Sequence, residues 1–437
     1  MTIPFLWGGV LAGAASAAWL GRRALGKKQM DRWLLPYMAR RLRQAWNGRS
    51  RPTDVLLAIC DHFEPEQGRG PSAEALERVD RWVEQYPVRF DEFRDVSGRP
   101  PLYSFFFPQD EYQPEYLDRL ADLCHAGYGD VEVHLHHDHD TADGLREKLE
   151  RFKELLYHRH GLLRRDPWTR EIVYGFIHGN WALCNARRDG RWCGVDQELT
   201  VLRETGCYAD FTFPAYPVET QPALVNRIYY AHDRPGRSGG HLHGIEARCG
   251  GLPPVGHLLL IQGPMTVAWH TRRLRVDNAC LQRSLPPSRD RFRTWLQTHV
   301  HVAGRSDWAF IKLHAHGCKP GDQELLLGPA MQAFYREILS WCSMEGIRLH
   351  FVTAWEMAQA VHLAERQPTP RPYSPFSSGV HDESAPPWTP AAMRRDGEPS
   401  ENDLPSAVGA HALAGGGNRA DSWPAVPSAV VPLEYPR

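Results

Sequence analysis

Eight short apolar runs punctuate the chain between residues 54 and 352: DVLLAIC (54–60), LYSFFF (102–107), VEVHLH (131–136), EIVYGFI (171–177), CYADFTF (207–213), HLLLIQG (257–263), WAFIKLH (308–314) and IRLHFV (347–352). Between most of them the apolar spacing turns helical, and helices are predicted over 72–86, 114–127, 141–161, 196–206, 289–300 and 328–346. Strands separated by a helix cannot pair through tight hairpins and need crossover connections, which gives parallel pairing. The expected fold is therefore α/β, a (β/α)7–8 barrel over residues 51–366. In that architecture reactive groups gather at the C-terminal ends of the strands.

The two ends of the chain have a different character. Residues 3–20, IPFLWGGVLAGAASAAWL, carry no charge and lead into GRRALGKK. A helix of that length just crosses the hydrocarbon core, so the segment is expected to be a transmembrane anchor. The cations Arg22, Arg23, Lys27 and Lys28 then place the barrel in the cytoplasm, with export through a cleaved signal peptide as the alternative. Residues 21–50 read as a basic amphipathic juxtamembrane helix. Residues 367–437, rich in Pro, Ser, Gly and Ala, read as a disordered tail that cannot bury enough apolar area to offset its ordering entropy. With 51 basic against 52 acidic residues there is no electrostatic case for nucleic acid as a partner. Nine scattered cysteines without a CxxC pair argue against a disulfide framework and against a structural zinc knuckle.

The polar residues follow the strand-end rule. Asp61, His62 and Glu64 come after the first run, four histidines and two aspartates crowd residues 134–140 after the third, His178, Asn180 and Trp181 follow the fourth, Phe213 the fifth, and His314 and His316 the seventh. Period-two geometry sends Glu132, His134 and His136 to one face and Val131, Val133 and Leu135 to the other, and it groups Lys312, His314 and His316 in the same way. Two imidazoles on one strand face are a common means of holding a divalent ion such as zinc. His137 and His139 fall on the alternate phase or in the turn beyond. Asp140 is open to two readings, metal ligand or N-cap of the following helix. The aromatic and polar rim of His178, Asn180, Trp181, Phe213 and His316 suits a carbohydrate groove. Residues 233–257, with His241 and His243, form a long Gly-rich loop or lid.

The motifs DHFEP (61–65), VHLHHDHDT (133–141), FIHGNWAL (176–183), the stretch from Asp189 to Ala215 and FIKLHAHG (310–317) resemble the polysaccharide deacetylase (NodB-like) superfamily, in a little-characterised bacterial branch of the glycoside hydrolase/deacetylase β/α barrels, over residues 53–360. The resemblance implies a metal-dependent hydrolase, a polysaccharide or amino-sugar N-deacetylase, whose substrate is a polysaccharide or lipid-linked sugar. It implies Asp61 as general base, His314 as general acid and a divalent metal, zinc, on His62, His136 and Asp140, with His134 or Glu64 able to replace one of these. Asp61–His62 stands where the family has two aspartates, and His136-x-x-x-Asp140 where it has His-x-x-x-His. Two rivals are a glycoside hydrolase pairing Asp61 with Asp210 or Asp140, and a non-catalytic, membrane-tethered glycan-binding partner of polysaccharide assembly.

Overall fold

The computed structural model describes residues 23, 25–46, 51–270, 273–367 and 373. The expected anchor over 3–20, and all of the expected tail except residues 367 and 373, lie outside them. No helix among the described residues is long and apolar enough to cross a membrane.

Each of the eight apolar runs forms a strand: β1 (Asp54–His62), β2 (Tyr103–Pro108), β3 (Gly129–Leu135), β4 (Ile172–His178), β5 (Cys207–Asp210), β7 (Leu258–Ile261), β8 (Trp308–Ala315) and β9 (Arg348–Phe351). A further strand, β6 (Ile228–Ala231), precedes the Gly-rich loop and pairs antiparallel with β7. The helices are α1 (Leu34–Trp46), α2 (Ala73–Phe90), α3 (Pro114–Leu123), α4 (Ala142–His160), α5 (Glu198–Glu204), α6 (Arg289–Leu296), α7 (Pro320–Leu326), α8 (Pro329–Met344) and α9 (Ala354–Arg366). Strands β8, β1, β2, β3, β4, β5 and β7 lie side by side, all parallel, in a twelve-stranded sheet. Along β1, β9 pairs the first half and β2 the second.

The fold is thus mixed α/β around a large, mostly parallel sheet. Among the described residues no ladder joins β7 to β8, but the two approach closely just after β7: a Cβ on Gly263 would lie 2.2 Å from the Lys312 carbonyl oxygen, so only glycine fits there.

Alternation along β1 explains the two halves of the core. Val55, Leu57 and Ile59 pack with α2, α3, α4 and α8, whereas Leu56, Ala58 and Cys60 join Phe106, Ile177, Tyr208 and Phe310 on the opposite face. That inner cluster is completed by α9 through Met357, Ala358 and Val361. Helix α9 opens with a capping box between Thr353 and Glu356.

Helix α1 docks on the body rather than standing apart. Tyr37 shares a hydrogen bond with Thr266, and Arg40 and Gln44 donate to the carbonyls of His299 and Thr298. Its outer face leaves Leu35, Met38, Leu42 and Trp46 exposed, the apolar side of the amphipathic pattern.

The ordered core extends past residue 366. Tyr373 is buried, its ring 5.3 Å from that of Trp308 and 4.7 Å from that of His350. A chain ending at 366 is expected to lose roughly 2 kcal/mol of stability, the worth of one large buried side chain. Tyr373→Ala should reproduce most of the fall in thermal midpoint, and a chain ending at 373 should show little of it.

Candidate metal centre

The alternation that sorts the core continues past the strand ends. After β1, Phe63 stays with the helix-side cluster while His62 and Glu64 turn to the inner side, and His134 and His136 of the β3 segment and His316 beyond β8 meet them there. Glu64, His134 and His136 offer donor atoms within 4.8 Å of one another, as do His62, Glu64 and His316. Glu64 Oε1 lies 3.3 Å from His134 Nε2 and 3.6 Å from His136 Nε2.

The outward nitrogens of both β3 histidines are occupied. His134 Nδ1 donates to the Ile177 carbonyl at 2.8 Å, and His136 Nδ1 lies 3.1 Å from Asp110 Oδ1. An imidazole whose Nδ1–H is held by an acceptor presents the lone pair of Nε2, the arrangement found behind metal-ligating histidines. Asp110, absent from the sequence candidates, is signalled only by its place two residues after β2. Gly179 completes the fit, since a Cβ there would come within 2.2 Å of His136 Cδ2. His62 stacks on His316 at 4.7 Å, and Trp181 covers both rings at 5.4 and 5.8 Å.

Electrostatics divides the cluster into a charged and an uncharged part. Burial, reinforced by His316 and His134, holds the His62 pKa well below the usual imidazole value. Burial and then Lys319 push His316 down to about 3. Burial opposes the charge on Glu64, but His134 and His136 outweigh it and keep the carboxylate pKa well below its ordinary range. Burial likewise opposes a proton on His136, and Asp110 and Glu64 more than offset it. A carboxylate and several converging imidazoles form a donor set that zinc accepts.

Other sequence candidates stand elsewhere. Asp61 shares the phase of Ile59 and Phe63; its carboxylate accepts from Tyr103 Oη at 3.0 Å and from the Gly317 amide at 2.7 Å, and burial raises its pKa to about 7. His314 lies one pleat deeper than His316, fully buried, with Nδ1 unpartnered among the described residues. Asp140 binds Lys148 Nζ at 2.6 Å and faces His137 Nδ1 at 3.2 Å; the N-cap of α4 is Thr141, not Asp140. His178 is turned to the helix side against His137. Asn180 occupies a turn with φ of 54°. Phe213 is 1% exposed and stacked on His241 at 4.7 Å, a packing position rather than a rim. His139 is 82% exposed at the side chain. Asp210 is buried and accepts from the Thr212 hydroxyl.

A cleft of about 730 Å³ between α1 and the body is lined by arginines, histidines and Trp341. Arg40 and Arg227 there pair with Glu246, and Arg51 with Glu345. Among the described residues it contains no cluster of ligating side chains comparable to that at the strand ends.

No family model matches the chain, and no curated protein matches it, so the resemblance to polysaccharide deacetylases rests on the quoted motifs. Among solved structures, the crystal structure of 4-alpha-glucanotransferase from Thermococcus litoralis is similar over 70% of this chain and 40% of its own, at 14% identity and a TM-score of 0.39. This chain therefore spans well under half of that enzyme's length, and a likeness of that degree carries no argument about activity.

Proposed function

We propose that the chain is a metal-dependent hydrolase acting on a carbohydrate, with the N-acyl group of an amino sugar as the bond class. The observation that carries this reading is the convergence of Glu64, His134 and His136, with the outward nitrogens of both histidines held by protein acceptors. A divalent ion on those three residues would supply an acidified water and a polarised carbonyl. The chain itself contributes a pair of uncharged imidazoles, His62 and His316, that face Glu64. Either can accept a hydrogen bond from the attacking water and orient it, although burial makes both weak bases. Asp61 holds the Tyr103 hydroxyl and the Gly317 amide in place behind the site and is a positioning residue in this reading. The site opens on the side of His136 and Asp110, whose side chains are 24% and 43% exposed. Trp181 offers a ring beside the histidines and a buried indole N–H without a partner among the described residues, a combination that suits the apolar face and hydroxyls of a sugar.

The glycosidase rival needs two facing carboxylates. Asp61 points to the helix side, Asp140 stands against Lys148 and His137, and Asp210 is buried and accepts from the Thr212 hydroxyl, which leaves that reading the weaker one. The test is acetate release from an N-acetylated amino-sugar oligomer by the full chain. Release should stop with a chelator and return with zinc. New reducing ends without acetate would favour glycoside cleavage, and turnover indifferent to chelation would reject the metal-dependent reading.

A further inference from the structure

On the opposite side of the same strand ends lies a second cluster, made of His137 after β3, His178 at the end of β4, Cys193 in the following loop and Glu198 in α5. All four are buried, and their donor atoms lie within 4.8 Å of one another. His137 Nε2 is 2.9 Å from His178 Nε2, and the two stand 3.2 and 3.3 Å from Glu198 Oε1. Cys193 Sγ lies 3.3 Å from Glu198 Oε2.

One of the two imidazoles has its outer nitrogen committed to the backbone, and the other faces a carboxylate without a hydrogen bond to it. His178 Nδ1 donates to the Gly179 carbonyl at 2.5 Å, and His137 Nδ1 faces Asp140 Oδ2 at 3.2 Å. His178 Nε2 therefore aims its lone pair at His137 Nε2 and at a Glu198 carboxylate oxygen, a contact that needs either a proton on His137 Nε2 or a metal ion among the three. The sulfur is approached by the amides of Asn185 and Val195 at 3.2 and 3.4 Å; these N–H groups work against the burial that raises the thiol pKa to about 11, and a bound cation would complete the shift to thiolate. Donors on a tetrahedral zinc with bonds of about 2.0–2.3 Å lie roughly 3.3–3.7 Å apart, so the spacings among the two imidazoles and Glu198 need only a few tenths of an ångström of expansion, with the sulfur within 4.8 Å of the other donors. One thiolate and one carboxylate also balance the charge of a divalent ion, as a site without solvent access requires.

We propose that His137, His178, Cys193 and Glu198 form a closed, four-ligand site for a structural divalent ion of the zinc class, separate from the centre at Glu64. All four positions are filled by protein, the signature of a structural rather than a catalytic zinc. The ion ties the ends of β3 and β4 to α5 and anchors the loop 179–197 that carries Trp181. Asp140 lies behind the site, 3.2 Å from His137 Nδ1, where its carboxylate can accept from that ring once an ion holds Nε2. The absence of a CxxC pair argues against a zinc knuckle but not against this arrangement, whose ligands come from the ends of two strands and from Cys193 and Glu198, five residues apart, with no recognised spacing motif.

Cobalt substitution distinguishes this site from the other. Cys193 is the cysteine of the cluster, and the centre at Glu64 has none, so a thiolate-to-cobalt charge-transfer band in the near ultraviolet reports the buried site alone. The full chain loaded with Co²⁺ should show the band, and elemental analysis should give two ions per chain. Cys193→Ser should remove the band and one ion; Glu64→Gln should remove one ion and leave the band. Should Cys193→Ser not fold, the wild-type spectrum still decides. A wild-type chain that binds cobalt without the band, or binds none, means that a proton on an imidazole occupies the cluster, and the proposal is overturned.

Discussion

Glu64→Gln should abolish metal-dependent hydrolysis while the chain stays folded. Glutamine keeps the shape but removes the negative charge between His134 and His136, and an amide oxygen is a poor ligand for zinc. The loss of Lewis-acid stabilisation is worth several kcal/mol, and at 1.36 kcal/mol per factor of ten the rate should fall at least about a thousandfold. Asp110→Asn acts through His136 Nδ1 and should weaken metal affinity by about 10- to 100-fold, an effect that excess zinc reverses. Rate and bound metal measured on the same preparations check both variants. Full activity in Glu64→Gln would place the chemistry elsewhere.

Trp82→Ala should carry the largest cost in stability. Trp82 of α2 is completely buried, with ring centroids 4.6 Å from Tyr103, 5.6 Å from Phe105, 5.7 Å from Tyr86 and 5.9 Å from Phe63. Removing a buried tryptophan costs about 3–5 kcal/mol, read as the shift in denaturant midpoint at unchanged slope. The indole also donates to the Gly317 carbonyl at 3.0 Å, which fixes the turn after β8 next to His316. Trp82→Phe should recover most of the stability yet leave that turn with only the Asp61 tie to the Gly317 amide, so turnover should remain reduced with the metal retained.

Much of this arrangement was legible from local pattern. The apolar runs marked eight strands because buried parallel strands read as continuous hydrophobic stretches, and the period of two put His134 and His136 on the inner face with Glu132. The same rule, carried through DHFEP, separates Asp61 from His62 and Glu64 and explains why the aspartate that the family resemblance implies as base points to Tyr103 instead. What sequence could not supply is the meeting of distant segments. Asp110 reaches His136 across strands β2 and β3, and Cys193 reaches His137 and His178 from a loop more than a dozen residues away. No periodicity encodes such contacts; they exist once strands β2, β3 and β4 have been set side by side. Strand β6 escaped for another reason: RIYYAHD (227–233) is short and merges with the Gly-rich loop, so no helix marks it off. Helix α9 follows β9 after two residues, and its apolar face packs on the inner side of the sheet, where a barrel template expects none.

The most direct measurement is anomalous diffraction at the zinc edge from crystals of the full chain grown without chelator. A metal centre at Glu64 places a peak within about 2.0–2.2 Å of a Glu64 oxygen and of Nε2 of both His134 and His136. Glu64 hydrogen-bonded to the two imidazoles with no peak between them, in crystals soaked with zinc, would contradict it.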